Sequence, residues 1–449
     1  MALSARERAK KNAREIFLSG VEAASPYAAV KERLRVIARK NSARLKINGL
    51  SLNLNDFKNI YIAGAGKGVC PMARAVEETL GGRLTRGCVV TKHGHGERLG
   101  KVEVIEASHP IPDKSGVNAA KKILSLASNA GPDGLVIFLL SGGASALLCA
   151  PAPGITLDDK RRTTRLLINS GAAIGEINAV RKHLSMIKGG GLARAAFPAA
   201  VITLIVSDVV GDDISTIGSG PTAPDPAAFS GCIEILKRYG LLERTPARVL
   251  KRLKDGEAGR LPETPKPGDS AFQNCRNFIV AGNGAALGAA RKTALSLGYR
   301  TLLLSSTLTG PTHAAAGFLS SILKEIKKTG NPVRPPACLL AGGETTLEVR
   351  GRGKGGRNQE LALVAALGLE GAEGITLLSA GTDGTDGPTD AAGAFAFSDT
   401  IRRAKSTGLD AQKYLADNDS HRFFKKLNDL LVTGPTGTNV MDMVVGLVD

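Results

Sequence analysis

Apolar residues in this chain gather into short runs of aliphatic and β-branched side chains, and most runs are followed by a stretch with helical spacing. Such runs occupy 59–64 (NIYIAG), 87–92 (GCVVTK), 134–141 (GLVIFLLS), 199–207 (AAVITLIVS), 278–282 (FIVAG), 301–306 (TLLLSS), 337–343 (ACLLAGG) and 374–381 (GITLLSAG). Strands covered on both faces read as continuous apolar runs, and their alternation with helices marks βαβ units. The pattern therefore predicts an α/β fold with mainly parallel sheets of Rossmann-like character. Between about 245 and 275 it breaks into charge and proline, as in LKRLKDGEAGRLPETPKPGDS, and then resumes. Two domains are predicted, 1–250 and 275–449, joined by a linker at 251–274, with an active-site cleft between them. At the N-terminus, Phe17, Val21 and Ala24 share one helical face and predict an ordinary first helix. Glu7 and Glu15 argue against a transit peptide.

Composition narrows the function classes. A chain of 449 residues, 43% hydrophobic, can build two or three ordinary cores. No apolar run approaches the roughly 20 residues of a membrane-spanning helix, and the N-terminus lacks the apolar centre of a secretory signal. The expectation is a cytoplasmic protein without a membrane partner. The six cysteines are scattered without CxxC or CxxH pairs and read as reduced, mostly buried thiols. The net charge of +18 calls for negative partners or a solvated surface. Tryptophan is absent and aromatics are only 4%, so the stacking platforms of single-strand binders are missing. Small anionic substrates suit the charge better than nucleic acid.

In open parallel sheets, ligands sit beyond the carboxyl ends of the strands, beside helix N-termini that favour anions. The loop after the first predicted strand is GAGKG, 64–68. It has neither phosphate-loop spacing nor the dinucleotide fingerprint, because Val69 stands where a third glycine is needed. It carries Lys67 to a helix start, where an ammonium can meet a phosphate or carboxylate; an exposed lysine on a plain turn is the competing account. In LLSGGASALL, 139–148, Ser141, Gly142, Gly143 and Ser145 leave backbone N–H groups accessible, as an anion cradle requires, although a close strand–helix turn has the same composition. The long loop 207–226 begins at a strand end with Asp208 as its candidate acid. In GEINAVRKHLSMIKGGGLARA, 175–195, Arg181 and Lys188 are seven apart and so would share a helical face able to hold an anion, or simply a solvated basic face. His183 has no acid at catalytic spacing.

Two stretches of the C-terminal half complete the candidates. In SAGTDGTDGPTDAAGAF, 379–395, Asp383, Asp386 and Asp390 follow a strand and can offer oxygen ligands to a hard cation, or bond their own turns. In GGETTLEVRGRGKGGRNQELAL, 342–363, Glu344 is a further candidate ligand. Thr345–Val349 reads as a strand, GRGKGG as a mobile basic tip, and Arg357 as a planar cation at a helix opening whose apolar face runs through Leu361 and Leu363 or Val364. That placement suits a phosphate undergoing transfer.

These stretches, AGAGKG, LLSGGASALL, INAVRKHLSMIKGGGLA, GGETTLEVRGRGKGGRNQELAL and SAGTDGTDGPTDAAGAF, together with EASHPIPDKSG and SDVVGDDISTIGSGPT, give the chain a close resemblance to the class II glycerate kinases, the glycerate 2-kinases with an N-terminal α/β domain and a C-terminal MOFRL domain. The resemblance runs over nearly the whole chain. It implies transfer of the γ-phosphate of ATP to the 2-hydroxyl of D-glycerate, with Mg²⁺ or a similar divalent cation. The family's key lysine falls on Lys67 and its key arginine on Arg357. Chemistry then suggests nucleotide phosphates at the turn of Ser141, Gly142, Gly143 and Ser145 with Asp208 beside the cofactor, the glycerate carboxylate at Arg181 and Lys188, and the metal at Asp383, Asp386 and Glu344; for Asp383, Asp386 and Asp208 the roles of metal holder and acceptor of the hydroxyl proton stay open. The oligomeric expectation is a monomer or a homodimer. The rivals are an oxidoreductase acting on hydroxypyruvate-like acids, a non-catalytic binder of nucleotides or sugar acids, and a nucleic-acid binder.

Overall fold

The computed structural model describes residues 3–449 and contains two compact units, each discontinuous in sequence. One holds 26–207 and 212–280; the other holds the N-terminal residues up to Ser25, 208–211 and 281–449.

The first unit opens with an antiparallel meander, β1 (Leu34–Arg39), β2 (Ser42–Ile47) and β3 (Leu50–Asn53). Asn48 and Gly49, at φ +41° and +85°, make the tight turn between β2 and β3. Its main sheet is formed by β4 (Asn59–Ala65), β5 (Arg86–Lys92), β6 (Val102–Ala107), β7 (Gly134–Leu140), β8 (Ala200–Val206) and β9 (Cys275–Ala281), in the order β6-β5-β4-β7-β8-β9. The pairings from β6 through β8 are parallel. β4 connects onward to β5 on one side and β7 to β8 on the other, so the loops after β4 and β7 part at a topological switch point.

The segment 251–274 is not a loose linker. It begins inside the helix Ala247–Glu257 and ends where β9 joins the first sheet. Glu263 accepts the Phe229 N–H at 2.8 Å and faces His183 Nε2 at 3.1 Å, and Thr264 Oγ1 donates to Asp225 at 3.0 Å. Charge and proline here serve an ordered strap with buried partners, and the division between units falls at 280/281.

The second unit carries β10 (Arg300–Leu308), β11 (Ala337–Gly343), β12 (Ile375–Gly381), β13 (Gly393–Phe397), β14 (Leu430–Leu431) and β15 (Asp442–Val448), in the order β10-β11-β15-β12-β13-β14. Only β10 and β11 pair in parallel; β15 runs antiparallel between β11 and β12, and β13 and β14 are also antiparallel. This sheet is therefore mixed where a parallel one was predicted, because the apolar run at 442–448 returns through its centre. Thr345–Val349 is not a strand; Thr346 alone bridges to Pro311. The helix Ala5–Ala23 starts with a Ser4/Glu7 capping box and buries Ile16, Phe17, Gly20 and Val21, with Gly20 against Ala286 and Met443. The helix Arg357–Gly368 is buried around most of its circumference, from Asn358 to Leu363 and at Ala365 and Ala366, rather than on one face.

All six cysteines are buried and unpaired. Among the described residues no helix is long and apolar enough to cross a membrane.

Candidate active site

At the switch point of the first sheet, backbone bonds stitch together the loops after β4 and β7. Lys67 N donates to Gly142 O at 2.9 Å, Gly68 N to Ser141 Oγ at 3.0 Å, and Ser141 N to Ala65 O at 3.1 Å. Gly66 is held at φ +139°, and a Cβ there would overlap Ser141 Oγ, so the approach requires glycine. The Ser141 hydroxyl thus closes the loop. The helix that follows Gly143 is a single turn, Ala144–Leu147. Lys67 is left half-buried at the rim, where the sequence places it.

Arg181 and Lys188 do meet, though not through helical spacing. Their helix, Ile174–His183, ends before Lys188, and the chain then turns back. Both side chains converge on one carbonyl: Ser145 O accepts from Arg181 Nη2 at 3.1 Å and from Lys188 Nζ at 2.9 Å. Ser145 Oγ lies 3.0 Å from Ser219 Oγ, which bonds Asn178 Oδ1 at 3.2 Å. Lys160, on the helix Leu157–Asn169, joins them with Nζ on Leu184 O at 3.0 Å. Together with Arg161 and Arg165, these three cations line a cavity of about 230 Å³ shared with Cys149 and Pro110–Pro112, and no acid lines it among the described residues. Burial, then the neighbouring cations, hold Lys188 well below the usual lysine range, and burial pushes Lys160 down to about 8. Nothing in the sequence pattern marked Lys160. Asp208, just after β8, is half-buried.

In the second unit, the ends of β11 and β12 and the start of β15 bring Gly343, Gly381 and Asp442 side by side. Arg357 stands above them in a fork of carboxylates, with Nε on Asp442 Oδ2 at 2.5 Å, Nη2 on Asp442 Oδ1 at 3.0 Å and Nη1 on Glu344 Oε1 at 2.6 Å. Burial alone would lower the guanidinium pKa, but the bond to Asp442 and the charges of Asp442, Glu344 and Asp386 outweigh it and raise it. Burial pushes the Asp442 carboxyl up to about 6 against the pull of Arg357. Asp442 had no place among the predicted residues, because the strand that presents it was not recognised.

Asp386 is a helix cap. Its carboxylate accepts the backbone N–H of Asn358 (3.1 Å) and Gln359 (2.8 Å), plus both side-chain amides, at the start of the Arg357–Gly368 helix. With those lone pairs engaged it is no metal ligand. Asp390 pairs with His421 at 2.8 Å. Asp383 bonds Thr385 N and Oγ1 in its own turn. A Cβ on Gly381 would lie 3.3 Å from Asp383 Oδ1 and 3.5 Å from Asp442 Oδ1, so these two acids flank one point. Among the described residues no group of three or more His, Cys, Asp or Glu is placed to hold a metal ion.

The basic tip before Arg357 is fastened down. Asn418 Oδ1 accepts from Arg350 N (2.8 Å) and Gly351 N (2.9 Å), Asp417 from Arg352 N and Gly353 N (2.8 Å each), and Asp419 Oδ1 from Lys354 N (2.9 Å). A Cβ on Gly353 would overlap Asp419. Asn418 Nδ2 also donates to Glu360 Oε2 at 2.9 Å, tying the clamp to the helix that begins with Arg357. This mobile-looking stretch is in fact bonded at five successive N–H groups, and the partner segment Asp417–Asp419 carried no recognisable sequence signal.

Residues 12–254 match a domain of unknown function, DUF4147, and residues 337–442 match the MOFRL family. The chain is 40% identical over 443 residues to a D-glycerate 2-kinase of Thermotoga maritima, covering 98% of this chain and 99% of that protein. It is 44% identical over 384 residues to a protein of Agrobacterium vitis named as a hydroxypyruvate reductase, covering 85% of each. A crystal structure of a glycerate kinase from Thermotoga maritima superposes with a TM-score of 0.88 at 39% identity, covering 99% of this chain and 100% of that one.

Proposed function

Because this chain, a DUF4147 domain followed by a MOFRL domain, belongs to the glycerate kinase family, we propose that it transfers the γ-phosphoryl group of ATP to the 2-hydroxyl of D-glycerate, giving 2-phosphoglycerate and ADP. The observation that carries this choice is the cation-lined cavity of the first unit, which offers several positive charges and no acid to a small carboxylate.

Phosphoryl transfer asks little covalent chemistry of the protein and much positioning and charge neutralisation. In our reading Lys67 neutralises charge on the transferring group, and the N–H groups of the Gly142–Gly143 turn face the nucleotide phosphates; Asp208, at the end of β8, is assigned to the same nucleotide site. Ser141 and Ser145 hold that turn in shape by tying it to neighbouring segments, Ser141 Oγ to Gly68 N and Ser145 Oγ to Ser219 Oγ. Arg181 and Lys188, with Lys160, take the glycerate carboxylate. Arg357, held in a fixed plane by Asp442 and Glu344, presents its remaining guanidinium face to the phosphoryl oxygens. Asp383 and Asp442 supply hard oxygen donors at one point, while Glu344 stays bonded to Arg357. That set fits a Mg²⁺ bound largely by phosphates and water with one or two carboxylates, and such an ion would neutralise phosphate charge.

The test couples purified protein, ATP, Mg²⁺ and D-glycerate directly to enolase without a phosphoglycerate mutase, since enolase accepts only the 2-phosphate. Phosphoenolpyruvate should form, and Lys67→Ala and Arg357→Ala should lower kcat by about 10²–10³-fold each. ATP consumed without phosphoenolpyruvate would instead assign the 3-hydroxyl or another acceptor. The name of the Agrobacterium vitis relative makes a reductase the second reading. It requires a dinucleotide site, and the loop after β4 has Val69 at the third glycine position. NADH should therefore remain unoxidised with hydroxypyruvate.

A further inference from the structure

One ionisable side chain beside Lys67 has no role in the assignments above. His109 follows β6 and heads the segment whose Pro110, Ile111 and Pro112 line the cation-rich cavity. Gly143, at φ +85° in the turn after β7, marks where it sits. A Cβ there would lie 3.1 Å from His109 Cδ2, 3.2 Å from His109 Nε2 and 3.4 Å from Lys67 Cγ. The imidazole and the lysine stem therefore flank one backbone point at the switch of the sheet.

His109 differs from the other histidine of this unit that lies in the interior. His183 is fully buried, with Nδ1 on Ala179 O at 2.8 Å and Nε2 on Glu263 at 3.1 Å, which is a structural arrangement. The half-buried His109 ring has no protein hydrogen bond on either nitrogen among the described residues. Burial first, then the positive charges of Lys67 and Lys92, lower its pKa below the usual imidazole value of about 6.5, so it is a neutral base near pH 7. The acids of the adjoining turn are engaged elsewhere: Asp113 accepts from Ser108 N and Oγ and from Gly116 N, and Glu106 accepts from Gly94 N and Gly96 N. His93 lies 3.7 Å from both of these carboxylates, and Arg161 donates to Pro112 O.

We propose that His109 is the general base of the transfer, its Nε2 taking the proton of the acceptor hydroxyl while that oxygen bonds to the γ-phosphorus of ATP. The bond from γ-phosphorus to the β,γ-bridging oxygen breaks, ADP departs, and the proton leaves His109 for solvent. This rests on placing Lys67 at the transferring group.

The experiment measures His109→Asn and His109→Gln beside Lys67→Ala in the glycerate- and ATP-dependent assay from pH 5 to 9, with glycerate affinity read by calorimetry. If the proposal holds, kcat falls by about 10²–10⁴-fold in both His109 variants, glycerate affinity changes by less than about threefold, and imidazole restores part of the rate to His109→Ala. The wild-type kcat/KM should decline only below about pH 6.5, and the variants should lose the part of that limb not owed to the γ-phosphate of ATP. A kcat within threefold of wild type, with the acid limb unchanged, overturns it. If Lys67→Ala is inactive while His109→Asn is normal, the proposal alone fails; if Lys67→Ala turns over normally, the site assignment fails and the proposal with it. Should both variants misfold, diethyl pyrocarbonate on the wild-type enzyme decides. Inactivation tracking His109 modification by peptide mapping supports the proposal, and activity surviving full modification refutes it.

Discussion

The two units gather opposite electrostatics at the ends of their sheets. In the first, Lys160, Arg181 and Lys188 bond only to carbonyls, and no acid lines their cavity among the described residues. In the second, Arg357 is already gripped by Asp442 and Glu344. A cluster of unmatched, desolvated cations is costly until an anion arrives, so it gives affinity. A guanidinium fixed by carboxylates gains little charge energy from a new anion but is rigidly aimed, so it gives rate. Changes at Lys160, Arg181 and Lys188 should therefore appear mainly in glycerate KM, and changes around Arg357 mainly in kcat.

The strongest way to break this contrast is Arg357→Lys, which keeps the charge and loses the fork. We expect kcat to fall by about 10²-fold with glycerate KM nearly unchanged, measured by steady-state kinetics. A variant altered in KM alone would erase the distinction. A smaller effect sharpens the other side. Lys160, with its folded pKa lowered to about 8, is charged below that pH and neutral above it, so glycerate KM should rise severalfold as pH passes through 8. Lys160→Arg should remove that rise, whereas an unchanged pH profile would take Lys160 out of substrate binding. The sign for stability is the reverse. The unfolded chain binds more protons between about 8 and 10.4, so this residue's contribution to stability grows with pH over that window. The smallest expected effect concerns what holds Arg357 in place. Asp386→Ala, which uncaps its helix, should cost about 1–2 kcal/mol in thermal or urea unfolding.

Much of the architecture was legible because strands buried on both faces are simple apolar runs, as at 59–64 and 134–141, where β4 and β7 form. The meander at 34–53 left a readable trace in Asn48–Gly49, the residue pair that a two-residue hairpin favours, but its strands are mostly polar on one face. β15 is an apolar run like the others; nothing local says that it slips antiparallel between β11 and β12. The pairing of Arg181 with Lys188 was foreseen for the wrong reason, since a chain reversal and not a helix face brings them to Ser145 O. Lys67 and Arg357 were visible because each stands in a glycine-flanked turn at a helix opening. His109, Lys160, Asn418 and Asp442 were not, because each acquires its surroundings from segments distant in sequence. Asp386 was visible as a carboxylate but not as a cap, for the N–H groups it caps lie 28 and 27 positions earlier.

The helix Ala5–Ala23 has a consequence for how the molecule is made. Arg6 bonds to Asp429, 423 positions later, and Gly20 packs against Met443. At roughly 5–20 residues per second, a nascent chain carries this helix for roughly 20–85 s before its partners are synthesised. The residues that leave the ribosome first are thus among the last to find their native neighbours. Until those partners arrive the apolar stripe of Ile16, Phe17 and Val21 lacks its C-terminal cover, so slowed elongation late in the message should raise the chain's demand for chaperones.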